Sequence, residues 1–203
     1  MTDTNKTLVD EEMKPTQAAT ITSQASAATT SPVPEHPPIE AQWTGAISHL
    51  ALAASEIPTE VIHKQLCKAY NQSPFAKFID MKMRVEDGQI KGFIDMDPRL
   101  IGNVAFKILH GGVAATMLDS IGGIVAMAEI YKSGKGEIAD RIRQVTRLAT
   151  TDLRVDYLAP GRGNYFVATA ETLRLGRKGC TMRMNVHNDE QKLIATGIAT
   201  YVY

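Results

Sequence analysis

Between Gly111 and Ala128 the chain carries a single ionisable side chain, Asp119, in a run otherwise made of apolar or small residues. A carboxylate is costly to bury unpaired, so one placed there needs a partner or a task. Two readings stand. It is an aspartate held by hydrogen bonds at a subunit contact, or it is one of the perturbed carboxylates that active sites concentrate. The run opens on His110-Gly111-Gly112. At the start of a helix the first N–H groups have no intrahelical acceptor and carry the positive end of the dipole. Glycine has no Cβ, so a substrate carbonyl can come within hydrogen-bond range of those N–H groups and use them as an oxyanion hole. The plainer alternative is a glycine pair that eases a tight turn. His110 would orient the carbonyl or cap the helix. Asn103, in the loop before it, would hold a water or a substrate oxygen, or serve as a turn residue.

Asp119 lies seven residues after Gly112, which at helical rise is roughly 10 Å further along the axis and on the same face. One helix cannot bring both groups to one carbon atom. Two copies with these helices antiparallel about a two-fold axis can, and such a dimer has two equivalent composite sites.

The surrounding sequence must supply what positions this helix. Residues 111 to about 132 read as a long helix, apolar on nearly every face, and such a helix has to be wrapped by other structure. Ahead of it, Pro58 stands where a first helical turn tolerates it. Ile62, Leu66, Ala69 and Tyr70 then mark one helical face. After Ser73-Pro74, strands are expected near Ile79–Val85 and Gln89–Met96, joined by the turn signal Asp87-Gly88, and a loop over Asp97–Leu109 follows. Residues 132–149 read as a surface insertion with a short basic helix, Ile138, Ile142 and Val145 on one side and Arg141, Arg143 and Arg147 elsewhere. Strand alternation then takes over, with Leu153, Val155 and Tyr157 against Asp152, Arg154 and Asp156, and with Cys180, Met182, Met184 and Val186 against polar neighbours. Asn188-Asp189-Glu190-Gln191 reads as a hairpin loop leading into Leu193–Tyr203. One buried helix wrapped by an antiparallel sheet is an α+β arrangement.

Residues 1–42 are rich in Thr, Ser, Ala and Pro, with five of the nine prolines, and are expected to be a disordered extension to one domain over residues 43–203 that opens at Trp43. That extension holds two lysines against six carboxylates, so the remainder carries a net charge of +4 in a chain that is neutral overall. A mild positive excess without a dense Lys/Arg patch suits an anionic small molecule better than a nucleic acid. The two cysteines, Cys67 and Cys180, stand apart in core-like surroundings, the usage of a reducing compartment. The five histidines show no paired spacing, so neither a metal site nor a cofactor is expected. Neither a membrane-spanning run nor a secretory signal is read, which implies the cytoplasm.

Leu100-Ile101-Gly102-Asn103, Ile108-Leu109-His110-Gly111-Gly112-Val113 and Leu118-Asp119 resemble the hotdog-fold thioesterases. Thr151–Leu158, Pro160-Gly161-Arg162-Gly163 and His187–Gln191 bring the resemblance closest to the YigI-type bacterial acyl-CoA thioesterases, over most of residues 60–203. The resemblance implies a hotdog fold, a curved antiparallel sheet around the central helix, in a homodimer or a homotetramer of two dimers. It implies hydrolysis of medium- to long-chain acyl-CoA, with Asp119 as general base or nucleophile, Gly112 as amide donor to the carbonyl oxygen, and His110 as the motif histidine. It puts Thr150 near the catalytic water and casts Met117, Ile121 and Val125 as candidates to shape an acyl site. Arg162, and Arg174, Arg177 and Lys178 around Gly176 and Gly179, are cations that could meet CoA phosphates. Two other functions fit the same fold: a non-catalytic acyl-CoA sensor and an enoyl-CoA hydratase or dehydratase.

Overall fold

The computed structural model describes residues 58–133 and 137–203. The expected extension over residues 1–42 and the expected start of the domain at Trp43 lie outside the described residues, as does the side chain of Ile138.

Helix α1 (Thr59–Gln72) begins one residue later than expected, with Pro58 as its N-cap. It buries Ile62, Leu66, Cys67 and Tyr70. Its end is tied to the first strand by Asn71, whose side chain donates to the Met83 carbonyl at 3.0 Å and accepts from the Met83 N–H at 2.7 Å. The strand expected from Ile79 starts later, because local capping wins over apolar alternation: the Ser73 hydroxyl accepts the Ala76 N–H at 3.2 Å with Pro74 at the first position, which makes a short helix α2 (Pro74–Phe78). Asp80 then takes a positive φ, and β1 runs Lys82–Glu86.

Strands β1 and β2 (Gln89–Asp95) form the expected hairpin, with Asp87 and Gly88 both at positive φ in the turn. The region expected as one loop contains a 3-10 turn (Pro98–Leu100) and a small antiparallel pair, β3 (Ile101–Asn103) with β4 (Ile108–Leu109). Then come α3 (Gly111–Lys132), α4 (Ile138–Arg147), β5 (Ala149–Tyr157), β6 (Tyr165–Leu175), β7 (Gly179–Asn188) and β8 (Leu193–Val202). The main sheet is antiparallel in the order β1-β2-β6-β7-β8-β5.

Helix α3 lies in the hollow of this sheet. Met117, Leu118 and Ile121 are fully buried, against a sheet face that supplies Phe166, Ala168, Met182, Met184, Val186 and Ala199. By length and hydropathy α3 would also qualify as a membrane span, which the sequence reading did not anticipate. The sheet and α1 pack against the buried half of that stretch. The sharpest departure from the expected alternation is at Tyr157, which is 56% exposed instead of core-facing. It stands at the end of β5, which is an edge strand among the described residues. At the β7–β8 turn, buried Asn188 accepts from the Glu190 and Lys192 N–H groups, which closes the expected loop.

Candidate active site

His110 is the N-cap of α3, and its Nδ1 accepts the Gly112 N–H at 2.9 Å. Of the two roles open to it, this is the capping one. The contact depends on glycine: a Cβ on residue 112 would lie 2.9 Å from Nδ1. The histidine is also backed by Gly102, where a Cβ would come within 2.7 Å of the His110 Cα. Its own N–H is held by the Leu100 carbonyl at 2.8 Å. The small β3–β4 pair is therefore the mount on which the His-Gly-Gly turn sits. Over this turn lies Tyr157, whose hydroxyl donates to the Gly111 carbonyl at 3.0 Å and whose ring would stand 3.2 Å from a Cβ on Gly111, a tight contact.

Two turns further along α3, half-buried Asp119 has found partners. The Thr150 hydroxyl donates to its Oδ1 at 2.9 Å, and the Tyr201 hydroxyl donates to its backbone carbonyl at 3.0 Å. Thr150 reaches the carboxylate from the edge strand, where the β5–β8 register slips between Thr150 and Asp152 and leaves Thr151 as an extra residue. A bulge of this kind re-aims the side chains beside it. Burial, with the Asp119 carboxylate and Cys180 adding to it, pushes the Tyr201 phenol well above its ordinary range, so it stays a hydrogen-bond donor. Burial likewise pushes the Cys67 and Cys180 thiols up to about 11, which keeps both protonated and out of nucleophilic chemistry.

The structure thus brings together Asp119 with Thr150, and His110 with Gly111 and Gly112. It does not bring the two groups to each other within one chain, since both lie along one helix. Asn103 Oδ1 accepts the Phe106 N–H at 3.3 Å, a turn-building contact, in a loop that exposes Val104 and Phe106. Arg162 is exposed beside Gly161, whose carbonyl accepts the Leu109 N–H, so it belongs to the His110 end of α3. Arg174, Arg177 and Lys178 are exposed around the β6–β7 turn. There Gly176 and Arg177 line a cavity with Ile130, at the other end of α3. A helix of 22 residues is roughly 33 Å long, so the two groups of cations cannot share one phosphate cluster within a chain. Met117 and Ile121 are sealed in the core, whereas Val125 borders a cavity of about 390 Å³ with His63, Ile90 and Ala170. Tyr157 and Tyr201 were missed as site residues. A tyrosine in strand alternation reads as core, and the hydroxyl's target is visible only once the strand is laid against the helix.

A curved antiparallel sheet around one long helix that opens on a His-Gly-Gly turn is the hotdog architecture. The thioesterase superfamily model matches residues 106–195. The medium/long-chain acyl-CoA thioesterase YigI of Salmonella typhimurium is 40% identical over 131 residues, which cover 64% of this chain and 84% of that protein. The YigI of Escherichia coli matches to the same extent. Among solved structures, a Shewanella oneidensis protein related to the thioesterase superfamily superimposes with a TM-score of 0.67 at 36% identity, covering 72% of this chain and 99% of that one. The chain belongs to the thioesterase superfamily.

Proposed function

We propose that the protein is a cytoplasmic acyl-CoA thioesterase that hydrolyses medium- to long-chain acyl-CoA to the carboxylate and CoA, as a homodimer or a homotetramer of two dimers. The observation that carries this reading is the Asp119 carboxylate, anchored by Thr150 on an otherwise apolar helix of a thioesterase-superfamily fold. The YigI relatives supply the substrate class. Asp119 acts as general base on water or as nucleophile on the thioester carbon. In the first case water adds to the carbonyl carbon as its proton passes to the carboxylate. The tetrahedral oxyanion collapses, the C–S bond breaks, and the departing thiolate takes the proton. The oxyanion is held by the partner subunit's Gly112 N–H, because the same chain's own lies about 10 Å away along the helix. That N–H is already bonded to the His110 Nδ1 in the resting protein. A charged acceptor makes the stronger hydrogen bond, so the developing oxyanion displaces His110 from it.

Incubation with acyl-CoAs from about C2 to C18, with free thiol as the readout, tests the activity across chain length. Release that rises toward the longer chains is expected. Asp119→Asn, nearly isosteric, should lower kcat by about three orders of magnitude with the melting temperature little changed. Acyl-CoA binding without thiol release at any length would replace the reading with a sensor. Hydration of an enoyl-CoA would replace it with a hydratase.

A further inference from the structure

The face of α3 that carries Asp119 continues beyond it. Ile130 and Ser133 follow at 11 and 14 residues, close to three and four helical turns, and border a cavity of about 410 Å³. The facing wall is α4, which presents Asp140, Arg143, Gln144 and Arg147 to the same space. These positions are i, i+3, i+4 and i+7, one stripe of a helix, and in a helix laid on a core that stripe is ordinarily apolar. Helix α4 is fastened instead by other positions. Val145 is buried, Ile142 packs on the core, and Arg141 donates to the Tyr131 carbonyl at 2.9 Å with its guanidinium 5.6 Å from the Tyr131 ring. The charged stripe is therefore free to face the cavity.

The β6–β7 turn brings a third guanidinium, Arg177, from a distant part of the sequence. Leu175 and Tyr203 give the cavity apolar surface, and Tyr203 is fixed by its hydroxyl, which donates to the Gly176 carbonyl at 2.8 Å. Three guanidiniums thus meet one carboxylate. Asp140 lies 3.5 Å from Arg143, while Arg147 and Arg177 make no ion pair among the described residues. Guanidinium forks converging over an aromatic and aliphatic floor suit a phosphorylated nucleotide, its base on the floor and its phosphates on the arginines. The spacing suits one as well. Ile130 is roughly 16 Å along the axis from Asp119, and the about 13 bonds from the sulfur to the first phosphorus of CoA span roughly 15 Å at the extension of a polypeptide backbone.

We propose that this cavity seats the nucleotide phosphates of CoA, with Arg143 and Arg147 from the α4 insertion and Arg177 from the β6–β7 turn as their ligands. The proposal rests on the thioesterase reading for its ligand, but its test does not depend on turnover. Titration calorimetry of the full chain with adenosine 3′,5′-bisphosphate, and separately with inorganic pyrophosphate, is expected to show binding of the first that exceeds the second. The variant Arg143→Ala/Arg147→Ala and, on a separate element, Arg177→Ala should each weaken the bisphosphate by about tenfold or more. Arg84→Ala, which removes an equal charge beside Phe93 in β2, should not. In turnover, the wild-type preference in kcat/KM for acyl-CoA over the same acyl-pantetheine should shrink about tenfold in both variants. Arginine-dependent binding without thioester cleavage would keep this site and overturn the activity. Cleavage with an unchanged preference, or equal bisphosphate affinity in wild type and both variants, would overturn this site and keep the activity. Pyrophosphate binding as tightly as the bisphosphate would reduce it to a general phosphate site and overturn its assignment to the nucleotide.

Discussion

Asp119 is tolerable in an apolar helix because the strand beside it supplies a donor. The Thr150 hydroxyl at 2.9 Å satisfies one oxygen and sets its direction, leaving the carboxylate half-buried with capacity to accept another proton donor such as water. A hydrogen bond to a charged group contributes about 1.5–3 kcal/mol, enough to fix a rotamer without immobilising the proton chemistry. Thr150→Val keeps the shape and removes the donor. It should lower kcat about tenfold with KM nearly unchanged, because orientation in the transition state is lost and not substrate affinity. Thr150→Ser, which retains the hydroxyl, should stay within about threefold of wild type. Steady-state kinetics of the two variants decide the matter, and equal rates for Val and wild type would remove Thr150 from the site.

At the scale of elements, α3 sits where it does because glycine lets the sheet come close. A Cβ on Gly122 would collide with the Tyr201 hydroxyl, the group that donates to the Asp119 carbonyl. Alanine at 122 gains up to about 1 kcal/mol in helix propensity. Against this stand about 1–3 kcal/mol of overpacking and about 1–3 kcal/mol for a buried hydroxyl that loses its acceptor. The net for Gly122→Ala should be destabilisation by about 1–5 kcal/mol in chemical denaturation, and a variant more stable than wild type would show that the contact is slack. Much of this element was legible in the sequence: Gly111–Lys132 could be drawn from its apolar run, and Asp119 and the glycine pair stood out from it. The strands with buried faces, such as Cys180–Val186, were equally plain from period two. What local pattern could not give was the strand at the sheet's edge. Tyr157 obeys the alternation of β5 and is nevertheless exposed, because alternation says which side a residue points to and not whether anything lies there. Thr150 drew notice through a resemblance, whereas its bond to Asp119 needs a bulge at Thr151 that periodicity conceals.

The whole molecule raises the question of how many chains make one site. Along α3, the Gly112 amide and the Asp119 carboxylate share a face but stand about 10 Å apart. In the proposed mechanism, a carbonyl carbon attacked at Asp119 takes its oxyanion donor from elsewhere. Among the described residues the sheet ends in β5, a nine-residue strand with one unpaired edge, and that same strand carries Thr150 and Tyr157. Unpaired edges of this length invite another strand, and joining two copies there would lay the two α3 helices against each other across a two-fold axis. This assembly has a consequence that a site within one chain lacks. Asp119→Asn disables the carboxylate of each site and Gly112→Val blocks the donor, so either homodimer should be inactive. In a mixed dimer one site collects both defects and the other collects neither. If the two chains are co-expressed in equal amounts and assemble at random, half the dimers are mixed with one working site each, so activity should return to about a quarter of wild type. Tandem affinity tags isolate the mixed species, where recovery should approach about half. Mixed dimers verified by light scattering that remain as inactive as their parents would place both groups at different tasks and break the composite site.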